Sequence, residues 1–323
     1  MIQGLKILSG HYGVFHHVLH GMQDNPERNL NKNCGAMAWN DFVNRLDVEK
    51  IAEQLHQAGA AYYFITIMQC SRYMIAPNKT YDEIVGAKPG EACAIRDLPM
   101  ELAKALDKYG IKLFLYFTGD GPCRDIEAGS RFGFCNCDTG DGHVSGHISL
   151  DFVKKWASVL EEYAVRYGDL VNGWWIDGCY RWVGYDDELL GLLYKAAKKG
   201  NPEAAVALNS GVFPEFRKNY VNEDFTCGES NRFEMIPKGP FTDGALNHIL
   251  APLGVAPDGN EWNGFGQPGC QHTAEYMIDY VKKVTGVGGA VTIDTALFAD
   301  SSFDPAQLEL LCTLKHAMKQ NEK

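Results

Sequence analysis

The sequence predicts an α/β fold, an irregular (β/α)8 barrel of the TIM type in one domain over residues 1–323. Three observations predict it. Apolar runs of strand length alternate with amphipathic stretches of helix length along the chain, as repeated βα units on a parallel sheet require. The runs are nearly continuously apolar, as strands covered on both faces are. Loops rich in Gly, Asn and Asp follow them at 18–46, 69–95, 118–148 and 210–270; in a barrel, such loops build the carboxyl-end face where active sites lie.

The elements follow in order. "YGVFHH" (12–17) is the first strand, and "DVEKIAEQLHQAG" (47–59) has its apolar residues at helical spacing. "AYYFITIM" (61–68) precedes a helix over 96–110, and "IKLFLYF" (111–117) precedes one over 149–168. "VNGWWID" (171–177) leads to a helix over 186–200, then to "AAVALN" (204–209). A helix over 270–286, the strand "GAVTID" (289–294) and a helix over 304–319 complete the alternation. The rival, a doubly wound open sheet, would carry G-x-G-x-x-G after its first strand, and that motif is absent.

The composition, 46% hydrophobic and 22% charged, is that of a globular protein. A net charge of -11 with no basic run argues against nucleic acid and anionic membranes as partners. No 18-residue apolar stretch predicts a membrane span. "MIQGLKILSGHYGVFHH" has neither a long apolar segment nor a small-residue cleavage site, so the expected location is cytoplasmic. The ten scattered cysteines then read as reduced thiols.

Chemistry concentrates at "GWWIDGCYRWVGYDDE" (173–188), where an apolar strand breaks off at Asp177. A helix cap is the plain alternative, but the next helix starts later, near Asp186. A glycosidase needs a second carboxylate, about 5–5.5 Å away for retention or roughly 6.5–9.5 Å for inversion. "NEDFTCGESNRFE" offers Glu223, Glu229 and Glu234; Glu229 follows the strand-like "DFTCG" and is preferred, with Arg232 nearby as a substrate contact.

Trp39, Tyr116, Trp174, Trp175 and Trp262 stand near strand ends, and aromatic faces pack against the C–H faces of sugars. Strand alternation lets only one of Trp174 and Trp175 point inward, and Trp175 is chosen. His16, His17 and His20 follow the first strand. Cys135, Cys137, His143 and His147 sit close together, but a structural zinc site usually has two residues between its cysteines and here there is one.

Together these stretches resemble glycoside hydrolase family 29, the α-L-fucosidases. "GVFHHVLHG" is similar to the family's first-strand ending, with His17 at the sugar-binding histidine, and "YGIKLFLYF" to the strand that supplies a substrate-contacting tyrosine, Tyr116. "YGDLVNGWWIDG" is similar to the nucleophile strand and puts that role on Asp177; "VKKVTGVGGAVTIDT" resembles a late strand. Where the family has Lys-His-His after its second strand, this chain has "MQCSRY". Gln69 and Cys70 thus replace two sugar-binding histidines, and Arg72 is placed to swing into the space. The resemblance implies a retaining exo-glycosidase acting on an α-L-fucoside or a related α-linked sugar. Asp177 would be nucleophile and Glu229 acid/base, with His16, His17, Trp39, Gln69, Cys70, Arg72, Tyr116, Trp175, Arg232 and Trp262 around the sugar. Neither metal nor cofactor is expected. The partner is a small glycoside or oligosaccharide, homo-oligomerisation stays open, and no β-sandwich is expected after the barrel. The alternatives are a sugar-binding relative without turnover and a metal-dependent hydrolase using His143 and His147.

Overall fold

The computed structural model describes residues 1–31, 34–133, 148–257, 259 and 264–319. Its sheet strands are β1 (Tyr12–His16), β2 (Tyr62–Thr66), β3 (Lys112–Thr118), β4 (Val171–Asp177), β5 (Ala205–Leu208), a two-stranded hairpin of β6 (Phe241–Thr242) and β7 (Ala245–Leu246), β8 (His248–Pro252) and β9 (Ala290–Thr295). Seven of these form one parallel sheet in the order β5-β4-β3-β2-β1-β9-β8, curled into a half-barrel. Each expected strand appears within a residue or two of its expected limits. β6, β7 and β8 were not expected; all three are short strands inside the expected loop 210–270.

The helices are α1 (Gln3–Leu8), α2 (Trp39–Arg45), α3 (Val48–Ala58), α4 (Lys79–Val85), α5 (Leu98–Asp107), α6 (Ile126–Phe132), α7 (Leu150–Tyr167), α8 (Asp187–Lys198), α9 (Ala274–Gly286) and α10 (Pro305–Lys319). Start signals are local: Asp47, Asp97, Ser149, Asp186 and Thr273 each accept a hydrogen bond from a first-turn amide of the helix that follows. α1, α2, α4 and α6 have six or seven residues each, too few turns to show a periodic apolar stripe, and three of them lie in expected loops. No helix among the described residues is long and apolar enough to cross a membrane.

Among the described residues the parallel sheet has seven regular strands and not the expected eight. Between β5 and β8 runs an irregular segment, 224–230. Thr226 and Ser230 donate backbone bonds to Leu246 and Leu250, and Leu246 and Leu250 donate to Asp224 and Gly228. Towards β5 the joint is thinner: Asp224 N–H donates to Val206 O at 2.9 Å, while the amides of Val206 and Leu208 donate to the Asp224 and Glu223 carboxylates. Side chains there satisfy a strand edge that a neighbour would normally pair. Gly228 permits the close approach: its φ is 58°, and a Cβ there would lie 1.7 Å from His248 O.

Side chains alternate across the sheet as the period of two demands. Val14, Tyr63, Leu115, Trp174, Ile176, Val206 and Ile293 pack outward against the helices. Phe15, Phe64, Phe114, Tyr116, Trp175, Ala207 and Leu250 fill the inside. Trp175 is therefore the inward tryptophan.

Candidate active site

At the carboxyl end of the sheet the inward row changes from apolar to polar. Two residues beyond Trp175 stands Asp177, two beyond Ala207 stands Asn209, two beyond Cys227 stands Glu229, and two beyond Phe15 stands His17. Side-chain parity alone thus aims four polar groups at one mouth.

Asp177 is buried and held by four donors. Tyr116 Oη donates to Oδ2 at 2.6 Å; Gly178 N, Asn209 Nδ2 and Tyr180 Oη donate to Oδ1 at 2.8, 2.8 and 3.3 Å. Gly178 makes its own bond by turning left-handed, with φ of 67°. Burial, and then the Asp177 charge beside it, push the Tyr116 hydroxyl well above its usual pKa, so it stays a donor at neutral pH. Tyr116 in turn stacks between Trp175 and Phe15, with centroids 5.5 and 5.7 Å away.

The same Asn209 nitrogen donates to Glu229 Oε2 at 2.6 Å. With one nitrogen 2.8 Å from Asp177 Oδ1 and 2.6 Å from Glu229 Oε2, those oxygens are at most 5.4 Å apart, the sum of the two. Beside Glu229 lies a small hollow lined in part by Ser210, Phe213 and Arg217, with the Arg217 guanidinium 4.0 Å from the Phe213 ring centre. Across the mouth, His17 Nδ1 pairs with Asp294 Oδ2 at 2.9 Å. Asp294 is fully buried, which raises its pKa although His17 opposes the shift. That pairing fixes the imidazole and leaves Nε2 without a partner among the described residues.

The expected site residues divide accordingly. His17, Tyr116, Trp175, Asp177 and Glu229 come together, Trp175 as the floor with its Nε1 donating to Cys227 O at 3.1 Å. His16 does not join them. It points outward, with Tyr63 Oη at 3.0 Å from Nδ1 and Thr295 Oγ1 at 2.8 Å from Nε2, and both ring nitrogens are used. Trp39 is buried, its Nε1 donating to Met74 O at 2.8 Å, and His20 stacks on Tyr73 at 3.9 Å. Arg72 does not swing towards the mouth: Asp125 takes it in a two-point pair at 2.6 and 2.9 Å and Glu127 at 2.6 Å. Cys70 is buried and turned towards Cys123 and Asp120, and Gln69 beside it is half-buried. Arg232 is exposed and faces Glu234 at 3.7 Å. Trp262, Cys135, Cys137, His143 and His147 lie outside the described residues.

Glu223 is taken by structure. It accepts from the amides of Leu208, Asn219 and Tyr220, and burial raises its pKa to about 7. Asn209, Asp294 and Tyr180 were missed. For the first two the signal was present: "AVALN" and "AVTID" end in a polar residue as "GWWID" does.

No protein-family model matches the chain, and no curated protein sequence matches it. Solved structures match in fold. The endo-fucoidan hydrolase P5AFcnA from glycoside hydrolase family 107 has a TM-score of 0.70 at 16% identity, covering 100% of this chain and 95% of that one. The endo-fucoidan hydrolase MfFcnA4 of the same family has 0.73 at 15%, covering 99% and 54%. An α-L-fucosidase of family 29 from Bacteroides thetaiotaomicron has 0.64 at 14%, covering 99% and 74%. At such identities the likeness is one of fold.

Proposed function

We propose that this protein is a retaining exo-glycoside hydrolase acting on an α-L-fucoside or a related α-linked sugar. The observation that carries the reading is the Asn209 amide shared by Asp177 and Glu229, which keeps their oxygens within 5.4 Å. Retaining enzymes hold their carboxyl groups about 5–5.5 Å apart, whereas inverting ones leave roughly 6.5–9.5 Å for a water. The solved fucose-related glycoside hydrolases that share the fold support the same class.

In this reading an Asp177 oxygen attacks the anomeric carbon, forming an ester bond as the glycosidic C–O bond breaks. Glu229 gives its proton to the departing oxygen. It then takes a proton from water, whose oxygen attacks the same carbon and releases Asp177. Tyr116, Asn209 and Gly178 hold the nucleophile in one rotamer, so little reorganisation accompanies the attack. His17 Nε2 faces the sugar as a hydroxyl partner.

A panel of aryl α- and β-glycosides, with fucoside, galactoside, rhamnoside and arabinoside, tests the reading. At least one α-linked member should be cleaved above background, and NMR should show the first-formed product with its anomeric configuration kept. Fucoidan oligosaccharides form a second arm, in which release from chain ends rather than internal cuts is expected. An inverted product, or no cleavage in either arm, rejects the mechanism.

A further inference from the structure

Three side chains that the proposed reaction does not use converge beside β3. Cys70 Sγ, Cys123 Sγ and a carboxylate oxygen of Asp120 all lie within 4.8 Å of one another, and all three residues are buried. Cys123 Sγ is 3.5 Å from Asp120 Oδ2. The Thr118 hydroxyl donates to Oδ1, which turns the other oxygen to the sulfurs. Cys70 enters the group from a left-handed backbone, φ 56°, one of three such non-glycine residues among those described. For a residue with a Cβ that conformation is disfavoured, and such outliers gather at functional sites. Arg124 N–H donates to Cys70 O at 2.9 Å, tying the two segments together.

We propose that Cys70, Asp120 and Cys123 form a binding site for a soft divalent transition-metal cation, zinc foremost, with a fourth position taken by water. Two sulfurs and one carboxylate suit zinc and not the all-oxygen shells of magnesium or calcium. With Zn–S of about 2.3 Å and Zn–O of about 2.0–2.2 Å, a tetrahedral angle puts sulfur and oxygen roughly 3.5 Å apart. That is the separation already present between Cys123 and Asp120. The Thr118 bond is the outer support that ligating carboxylates usually have. A disulfide would use the two sulfurs and leave the carboxylate unexplained; a cation uses all three.

Binding forms two sulfur–metal bonds and one oxygen–metal bond, and each thiol releases its proton to solvent. The ion would join the bend after β2 to the end of β3. It would lie next to the Asp177 turn, since a Cβ on Gly178 would stand 2.7 Å from Asp120 Oδ1. Its role is to brace that wall of the mouth.

The test uses the whole chain, reduced and freed of metal by chelator, titrated with Co²⁺ under argon. The expected result is one cobalt per chain, a near-ultraviolet sulfur-to-cobalt band and the visible bands of a four-coordinate ion, all lost on adding one equivalent of Zn²⁺. Cys70→Ser and Cys123→Ser should each weaken cobalt binding at least tenfold and lower the sulfur band. Asp120→Asn should weaken binding with the sulfur band kept, and Cys312→Ser, remote from the cluster, should change neither. Circular dichroism checks the fold of each variant, with Cys70→Ala as a second substitution at that position. Absence of the sulfur band in wild type, its survival in the Cys70→Ser/Cys123→Ser double variant, or a Cys70–Cys123 disulfide in protein purified with zinc and without reductant would overturn the proposal.

Discussion

His16 and His17 are neighbours in the chain and belong to different regions of the molecule. His16 lies on the outer face of the sheet, fully buried, with Tyr63 and Thr295 on its two nitrogens and the edge of Phe303 against its ring at 4.4 Å. His17 lies on the inner face, at the mouth, with one nitrogen fixed by Asp294 and the other open among the described residues. The outer layer tolerates polar groups only when they are saturated, because an unmet donor or acceptor there costs the full desolvation penalty. On the inner face His17 is fixed on one side by Asp294 and open on the other among the described residues. The contrast teaches that availability, and not polarity or burial, separates the two histidines.

The largest effect that could break this contrast is at Asp177. Asp177→Asn should lower turnover by several orders of magnitude while circular dichroism and melting stay close to wild type, since an amide keeps the volume; near-normal turnover would remove the nucleophile from the proposed mechanism. Next comes Glu229. Glu229→Ala should lose much more activity on poor leaving groups than on activated aryl glycosides, because protonation carries more of the barrier there, and added azide should restore rate and yield a glycosyl azide. If Glu234→Ala behaves that way instead, the acid/base has been misplaced.

The two histidines sharpen the contrast directly. His16→Ala deletes a buried ring and leaves the Tyr63 and Thr295 hydroxyls unmatched, so it should cost about 2–4 kcal/mol in urea unfolding with kcat unchanged. His17→Ala should show the reverse, a raised KM with a smaller loss of stability. Equal effects in both assays would dissolve the distinction between the faces.

The smallest expected effect is in pH dependence. Burial holds His16 at about 3 and His248 at about 4, against the ordinary 6.5. Between those values and 6.5 the unfolded chain binds more protons than the native one, so stability falls as pH drops through that window. Glu223, raised by burial to about 7 from 4.5, has the opposite sign: the native state keeps a proton that the unfolded one has lost, and stability falls as pH rises from 4.5 to 7. His16→Asn should therefore lose less Tm than wild type between pH 6.5 and pH 4. A steeper loss in the variant would mean that His16 is charged in the native state.

Most of the parallel sheet was legible because its strands are apolar runs, and Asp177, His17 and Tyr116 were legible because they end such runs or stand near their ends. β8, "HILAP", is only five residues and opens on a histidine, so it carried too little signal to be separated from the surrounding loop. Trp39 and Arg72 were misjudged because what engages them, Met74 O, Asp125 and Glu127, is set by loop packing that no local pattern encodes. Among the described residues the expected eighth regular strand is absent for a related reason. Segment 224–230 carries Gly228 where its backbone meets His248, and the carboxylates of Asp224 and the preceding Glu223 accept from β5 amides where a neighbouring strand's carbonyls normally would.

That thin joint has a stereochemical consequence. Asp177 belongs to β4, inside the ladder, whereas Glu229 rides on a segment that β5 holds by one backbone bond, two carboxylate contacts and the Asn209 amide. The gap between the two acids therefore spans that joint, and in the proposed reaction a displacement of roughly 1–2 Å there would cross the interval between the spacing that suits a covalent intermediate and the one that admits a water directly. In the proposed reaction, substitutions at residues 224–226, which precede the part of the segment that lines the mouth, would then act as a dial on which anomer is released.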